Sequence, residues 1–185
     1  MVFRTPMAHE NCSLLDIIEA TAALARTAWE PVWPIWKRLN RYPGPEAPGS
    51  RDSCIPTSFA LRIALARTVP EVRWRVVGGR PTKRNPASGV VDAKGTIRPH
   101  LWVEGRHGRT RIVVDITADQ FGLKPVVVAT GVTASHTASA TARLLRFYEA
   151  HESDTITRFL AALNAVMLRE QHKNQGQQPS QACLD

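Results

Sequence analysis

A histidine and an aspartate in one predicted hairpin are the residues of this chain best placed to do chemistry together. The stretch from 98 to 122 is predicted to form two short strands joined by a Gly-containing turn. His100 starts the first strand and Asp115 ends the second. In an antiparallel hairpin these positions lie side by side, so the two side chains can meet. A neighbouring carboxylate selects one tautomer of the imidazole and favours its charged form.

A nucleophile is available upstream in Cys54, which stands where a helix is predicted to begin. Apolar residues recur at helical spacing over 55–68, and Pro56 suits the first turn, where a missing N–H costs nothing. Asp52 or Ser53 can cap this helix. At a helix N-terminus the unpaired N–H groups and the helix dipole stabilise a thiolate. Because free cysteine is often a core residue, a buried structural Cys54 is the alternative.

Cys54, His100 and Asp115 together predict a centre for acyl transfer from an amide. The thiolate of Cys54 would attack the carbonyl carbon, His100 would protonate the departing nitrogen, and Asp115 would orient the imidazole. The backbone N–H of Cys54 is a candidate donor to the oxyanion. The candidates for a second oxyanion donor are Ser53, Asn40 and Gln120. The reserve histidine and aspartate are His136 and Asp119.

The hairpin resembles that of the transglutaminase-like branch of the papain-like cysteine enzymes. In that branch a cysteine opens the central helix, and a His-x-Trp-Val-Glu strand and a Val-Asp-x-Thr strand follow. Here these read HLWVE, which begins at His100, and VVDIT, which contains Asp115. The resemblance covers about residues 50–130. It implies an α+β fold with a papain-like core, in which the central helix carrying Cys54 packs on a small antiparallel sheet, with extra N- and C-terminal helices.

The same resemblance implies a thioester intermediate and a peptide or protein substrate. Trp102, which belongs to the matching hairpin, is a candidate for binding the oxyanion or the substrate. The ending VDITADQFG is similar to that of bacterial members that are deamidases, peptidases or toxin domains. The expected reaction is therefore peptide hydrolysis, glutamine deamidation or transglutamination. Which of these occurs depends on whether water or an amine accepts the acyl group. A leader peptidase of a peptide-modification pathway is an alternative, and an arylamine acetyltransferase-like enzyme ranks lower. The Asp-Ser-Cys-Ile-Pro segment around the nucleophile departs from the Gly and Cys-Trp-like residues that family members often carry.

Composition leaves another class of function open, a basic binding module without catalysis. The chain has 24 Lys and Arg against 16 Asp and Glu, for a formal net charge of +8. Its arginines are scattered through apolar segments and no nucleic-acid motif is present, so solvated surfaces are favoured over a nucleic-acid site. In a binding module the residues of the predicted triad would be structural.

Cysteine usage favours a reducing compartment. Cys12, Cys54 and Cys183 are far apart and odd in number, so they suggest neither a zinc motif nor a disulfide framework. No motif for a metal or an organic cofactor is present, and we expect none. The start of the chain lacks the apolar core of a signal peptide, and no apolar run is long enough to cross a bilayer. We expect a cytoplasmic protein, or one delivered by a specialised secretion system, with no membrane partner and an oligomeric state that the sequence does not indicate.

The rest of the chain is predicted to complete a single domain over 1–172, followed by a disordered polar tail over 173–185. A first helix begins with a capping box of Ser13 and Asp16 and ends near Pro31. The other predicted elements are helices over 139–151 and 154–172, strands over 71–79 and 126–130, and loops over 41–50, 80–97 and 130–138. The loop 41–50 is either a mobile segment next to the site or a plain connector. The loop 80–97 is a candidate lid or a disordered loop, and a short hairpin at Val90-Val91 is expected within it.

Overall fold

The computed structural model describes residues 13–34, 37, 50–51, 53–139 and 142–151, and scattered helical residues from 153 to 172. Its elements are helices and a small antiparallel sheet, which confirms the predicted α+β class. Some predictions fall on residues outside this set: Cys12, the donor Asn40, most of the loop 41–50, the cap Asp52, much of the helix 154–172, and the tail 173–185 with Cys183. Within the described set, no helix is both long enough and apolar enough to cross a membrane.

Helix α1 spans Leu14–Trp29, and the capping box predicted at its start is confirmed. The backbone N–H of Asp16 donates to Oγ of Ser13, and the backbone N–H of Ser13 donates to the Asp16 carboxylate. Both bonds satisfy N–H groups that would otherwise lack a partner at a helix N-terminus. The helix ends two residues before Pro31, as expected for a residue that cannot continue the hydrogen-bond ladder.

Helix α2 spans Cys54–Thr68, so the predicted helix start at the cysteine is confirmed. It packs against α1 in a shared core, in which Ala22 and Ala25 of α1 are fully buried. Small side chains on α1 let the two helices approach closely. Helix α3 spans Ala142–His151 and adds Leu145 and Tyr148 to the border of the same core.

The strands form a larger and a smaller sheet. In chain order the strands are β1 (Arg73–Gly79), β2 (Gly89–Val91), β3 (Ile97–Arg98), β4 (His100–His107), β5 (Thr110–Asp115), β6 (Val127–Thr130) and β7 (His136–Thr137). The larger sheet has the order β1-β4-β5-β6 and the smaller has the order β3-β2-β7, with every neighbouring pair antiparallel. The β4–β5 hairpin predicted around the histidine and the aspartate therefore lies at the centre of the larger sheet.

Alternation along the strands separates two faces of the larger sheet. Val103 and Val114 belong to the main core that the helices complete. Trp102 and Val113, one residue away on each strand, belong to a smaller buried cluster. His100 lies two residues before Trp102, so it shares the face of the sheet that is turned away from the main core.

The smaller sheet corrects the predicted loops. The segment 80–97 contains β2, which pairs with β3 as the predicted hairpin at Val90-Val91 implied. The prediction that 130–138 is entirely a loop is wrong, because β7 forms there and pairs with β2. The end of β1 approaches β2 closely at Gly79. A Cβ at this position would stand 2.3 Å from the backbone nitrogen of Gly89, so only glycine fits there. The β2–β7 pairing joins distant segments over only two residue pairs, so it produces no hydrophobic periodicity from which it could be predicted.

Candidate active site

The register of the β4–β5 hairpin brings the predicted histidine and aspartate together. Val103 pairs with Val114. Continued by three residues, this register sets His100 opposite Thr117. Asp115 lies two residues before Thr117, so its side chain points to the same face of the sheet as that of His100. Nε2 of His100 lies 2.7 Å from Oδ2 of Asp115, and both side chains are buried. The two side chains that the sequence predicted to meet are thus in direct contact.

Both oxygens of the Asp115 carboxylate are occupied. Oδ1 accepts from the backbone N–H of Thr117 at 2.8 Å and from its hydroxyl at 3.0 Å. Oδ2 accepts from His100 and also from Nε2 of His136 at 3.2 Å. A buried carboxylate with this many donors is held in one orientation, and it holds the imidazoles in turn.

The protonation states of the pair follow from burial and charge. Burial alone would lower the pKa of His100, but the charge of Asp115 and its hydrogen bond, assisted by Cys54, raise this pKa to about 10. Burial alone would raise the pKa of Asp115, but the charge and hydrogen bonds of His100 and His136 hold it well below its usual range. At neutral pH the pair is therefore an imidazolium and a carboxylate.

Cys54 completes the predicted group of residues. It is a free, partly buried cysteine at the first residue of α2, and its thiol is close enough to His100 to affect the pKa of the imidazole. Nδ1 of His100, the ring nitrogen that Asp115 does not bind, is buried without a fully formed hydrogen bond to any described residue. Hydrogen bonds between catalytic groups are often long or poorly aligned before substrate binds. Cys54 thus acts on the pKa of an imidazole whose Nδ1 has no hydrogen bond to a described residue.

An open cleft of about 770 Å³ runs past Cys54. Its walls come from the start of α2, from the turn between β2 and β3, and from a 3-10 helix (Ala118–Phe121) that follows β5. The ring of Phe121 lines the cleft and meets the ring of His100 edge-on, with 4.8 Å between the ring centroids. The cleft therefore leads to Cys54, whereas His100 is buried beneath its surface.

The tentative oxyanion donors differ in where they lie. Ser53 occupies the cap position of α2, but its hydroxyl donates to the carbonyl of Ser50 at 2.6 Å rather than capping the helix. Among the described residues that line the cleft, Ser53 is absent and Gln120 is present. Nε2 of Gln120 donates to the carbonyl of Thr117 at 2.8 Å. Of the two, only Gln120 reaches the space that a substrate would occupy.

Trp102 lies away from the cleft, between two histidines. It is fully buried, stacked 6.2 Å from the ring of His100 and edge-on at 5.1 Å to the ring of His136. Its indole N–H donates to Glu104 at 3.3 Å. Trp102 can therefore position the imidazoles, and its burial keeps it out of reach of a substrate.

His136, the reserve histidine, is part of the same cluster. Its Nε2 donates to Asp115, and its Nδ1 lies 2.8 Å from the hydroxyl of Ser135. Both nitrogens of this buried imidazole thus have partners. The sequence signal for it was weak, because a histidine in a small polar segment gives no hint of the β2–β7 pairing that brings it to Asp115.

An ion cluster next to His136 was not predicted. Glu104, the last residue of HLWVE, is buried and paired with Arg111 and with Arg75, the latter at 2.9 Å. Arg111 also donates to the backbone carbonyl of His136 at 3.1 Å. The cluster therefore holds in place both the indole of Trp102 and the backbone of β7. These ion pairs account for the charged residues Arg75, Glu104 and Arg111 on this face of the sheet.

Asp119, the reserve aspartate, serves another contact. It forms a two-pronged ion pair with Arg26 of α1, with both N–O distances 2.8 Å, and it accepts from the hydroxyl of Ser50. These bonds join α1 to the 3-10 helix and to the residues just before Cys54. Asp119 thus supports the backbone around the cleft, and Asp115 is the aspartate that contacts His100.

No cluster of three or more His, Cys, Asp or Glu residues arranged to hold a metal ion occurs in the part of the chain that the structure describes. No family model matches the chain, and no curated protein or solved structure is significantly similar to it.

Proposed function

We propose that this chain is a cysteine-dependent acyl-transfer enzyme that acts on an amide bond of a peptide or protein. The observation that carries the proposal is that Nε2 of the buried His100 is held by Asp115 while its Nδ1 has no hydrogen bond to a described residue, and that Cys54 acts on the pKa of the same ring. A structural histidine of a core would normally have both nitrogens satisfied, as His136 does. The cleft along Cys54 supplies the access that a substrate needs.

In the proposed reaction, the Cys54 thiolate attacks the carbonyl carbon of the amide and a C–S bond forms. The imidazolium of His100 then gives its Nδ1 proton to the departing nitrogen as the C–N bond breaks, which leaves a thioester. Water or an amine next attacks the thioester carbon and loses a proton to Nδ1. The C–S bond breaks and returns the thiolate. Asp115 keeps the imidazole in one orientation through both steps.

The oxyanion of the tetrahedral intermediate needs donors that are already in place. The backbone N–H of Cys54 lies in the first turn of α2, where N–H groups have no partner within the helix. Gln120 is the candidate side-chain donor, because it is the proposed donor that lines the cleft. Removing one such donor typically lowers kcat by roughly 10²–10³-fold.

The proposal extends to the fold, a papain-like core of the transglutaminase-like type. It is supported by a helix that begins at the cysteine and packs on the central strand of an antiparallel sheet. The hydroxyl of Ser58 in α2 donates to the carbonyl of Leu101 in β4 at 3.0 Å, which fixes the helix start against the histidine strand. The order of elements, helix with cysteine, strand with histidine and strand with aspartate, is the order on which the sequence resemblance was based.

Alkylation of Cys54 tests the proposed thiolate. At about pH 6, where an ordinary thiol is less than roughly 1% ionised, the protein should react with iodoacetamide about 10²-fold faster than glutathione does. Peptide mapping by mass spectrometry assigns the adduct to Cys54. A rate equal to that of glutathione would contradict the proposal, since the thiol would then be an ordinary core residue.

Mass spectrometry of a candidate peptide or protein tests the reaction itself. Wild type should produce cleavage, a mass gain of about 1 Da from deamidation, or cross-linking, and Cys54→Ala should produce none of these. Circular dichroism should show that Cys54→Ala remains folded, because a small side chain is removed from a partly open position. Equal activity of the two proteins would exclude cysteine catalysis.

A further inference from the structure

The cleft beside Cys54 is lined by basic side chains from separate segments of the chain. Arg51 comes from the residues before α2, Lys94 from the turn between β2 and β3, and Arg98 from β3. Lys94 and Arg98 add two positive charges to the wall, and Asp92 is the one carboxylate among the described residues that line it.

The carboxylate of Asp92 is already engaged. Oδ1 accepts from the backbone N–H groups of Lys94 at 2.9 Å and of Thr96 at 2.8 Å, and Oδ2 is 3.0 Å from Nε of Arg98. The two backbone bonds shape the turn, and the third bond holds the guanidinium of Arg98. The side chain of Arg98 nevertheless stays 51% exposed, and Lys94 is exposed at the tip of the turn. Asp92 therefore holds Arg98 and the turn that carries Lys94 at the wall of the cleft.

We propose that this cleft binds the acyl donor through a carboxylate, so that the substrate is a peptide segment with an Asp or Glu side chain beside the reacting amide. The inference rests on the proposed function of Cys54. A guanidinium and an ammonium group offer several donors to a carboxylate, and cations gathered in a cleft raise the local concentration of anions. The apolar surfaces of Ile55 and Phe121 on the same wall can cover the aliphatic part of the substrate.

A pair of alkylating reagents measures this preference. Iodoacetate carries a carboxylate and iodoacetamide is a neutral molecule of similar size, and in both cases the thiolate displaces iodide. The ratio of their rates at Cys54 should be about tenfold higher in the folded protein than in the same chain unfolded in urea. Two short peptidyl chloromethyl ketones, with Asp or Asn next to the reactive group, extend the comparison to a peptide, and the Asp reagent should react several-fold faster.

Charge reversal separates the cleft cations from the imidazolium of His100, which also attracts anions. Lys94→Glu should lower the iodoacetate-to-iodoacetamide ratio by about fivefold to tenfold, and Arg98→Gln by about twofold to threefold. The matched control is Arg109→Glu, with the same change of charge, in the turn at the far end of β4 from His100. Arg109→Glu should leave the ratio within about 1.5-fold of wild type, because exposed charges more than a Debye length apart are screened.

The outcomes distinguish this inference from the proposed function. If Cys54 reacts rapidly with both reagents but shows the ratio of the unfolded chain, the carboxylate preference is wrong and the proposed thiolate stands. If the ratio is raised and Lys94→Glu leaves it unchanged, the imidazolium alone attracts the anion and the inference is again wrong. If neither reagent reacts faster with the folded protein than with the unfolded chain, the proposed function fails and the inference fails with it.

Discussion

His100 and His136 share one carboxylate oxygen but have different surroundings. Nε2 of His100 lies 2.7 Å from Oδ2 of Asp115, and Nε2 of His136 lies 3.2 Å from the same atom. Both rings are buried against Trp102. The difference is in Nδ1, which in His136 is bound by the hydroxyl of Ser135 and in His100 has no hydrogen bond to a described residue.

This difference shows that contact with a carboxylate does not by itself mark a catalytic histidine. A proton shuttle needs one nitrogen held and the other available, whereas a histidine with both nitrogens bound acts as a brace. We infer that His136 is a positioning residue for Asp115 and that His100 is the shuttle. His136 is therefore a matched control for His100, since the same substitution can be made at either histidine that contacts Asp115.

The largest effect should separate His100→Gln from His136→Gln. At about pH 6, His100→Gln should slow alkylation of Cys54 by iodoacetamide by about 10²-fold, because the thiolate loses its counter-charge. His136→Gln should slow it by no more than about tenfold, since only a hydrogen bond to a charged group is weakened.

The pH profile of this alkylation distinguishes positioning from simple loss of structure. His136→Gln should keep the wild-type shape of the profile at a lower rate, and His100→Gln should give the steep rise towards alkaline pH of an ordinary thiol. Equal profiles for the two variants would show that the histidines are not divided into a shuttle and a brace.

Asp115→Asn should test the charge that both histidines face. It should lower the free energy of unfolding by about 3–5 kcal/mol near pH 6, because it leaves a buried imidazolium without its partner. The pKa of His100 is raised from 6.5 to about 10 in the fold, so its stabilising charge is complete below pH 6.5 and is lost as the pH rises through 10. The difference between wild type and variant should therefore shrink over this range.

Denaturant unfolding followed by circular dichroism at a series of pH values measures this difference. Asp154→Asn, which removes a carboxylate from an exposed position, is the control and should be close to wild type throughout. A difference for Asp115→Asn that stays constant from neutral pH to above pH 10 would contradict an imidazolium–carboxylate pair.

The smallest effect is expected for Ser135→Ala, which frees Nδ1 of His136 and makes the two histidines more alike. Loss of one partly buried hydrogen bond should cost about 0.5–1.5 kcal/mol in the free energy of unfolding. Alkylation of Cys54 should slow by less than about threefold, because the bond to Asp115 remains. Thermal unfolding and the alkylation rate, measured on the same preparation, check both values. A loss as large as that of His100→Gln would place Ser135 and His136 in the proton path.

Contacts between residues that are close in the chain, or that strand alternation relates within one hairpin, could be predicted from the sequence. Ser13 and Asp16 are three positions apart, so the capping box follows from local geometry. The meeting of His100 and Asp115 follows from the alternation of a single hairpin. The start of α2 at Cys54 is marked by Pro56 in its first turn.

Only the tertiary structure decided which distant residues join this hairpin. His136 reaches Asp115 because β7 pairs with β2 over two residue pairs, a contact too short to leave a hydrophobic period. The place of Lys94 and Arg98 at the cleft likewise depends on the segment from β2 to β3 lying beside the start of α2. Such contacts join segments far apart in the chain, and their strength comes from buried hydrogen bonds and close backbone packing rather than from local propensity. The sequence alone therefore determined that His100 and Asp115 meet, and the tertiary structure determined the place of His136 and the charged residues that line the cleft.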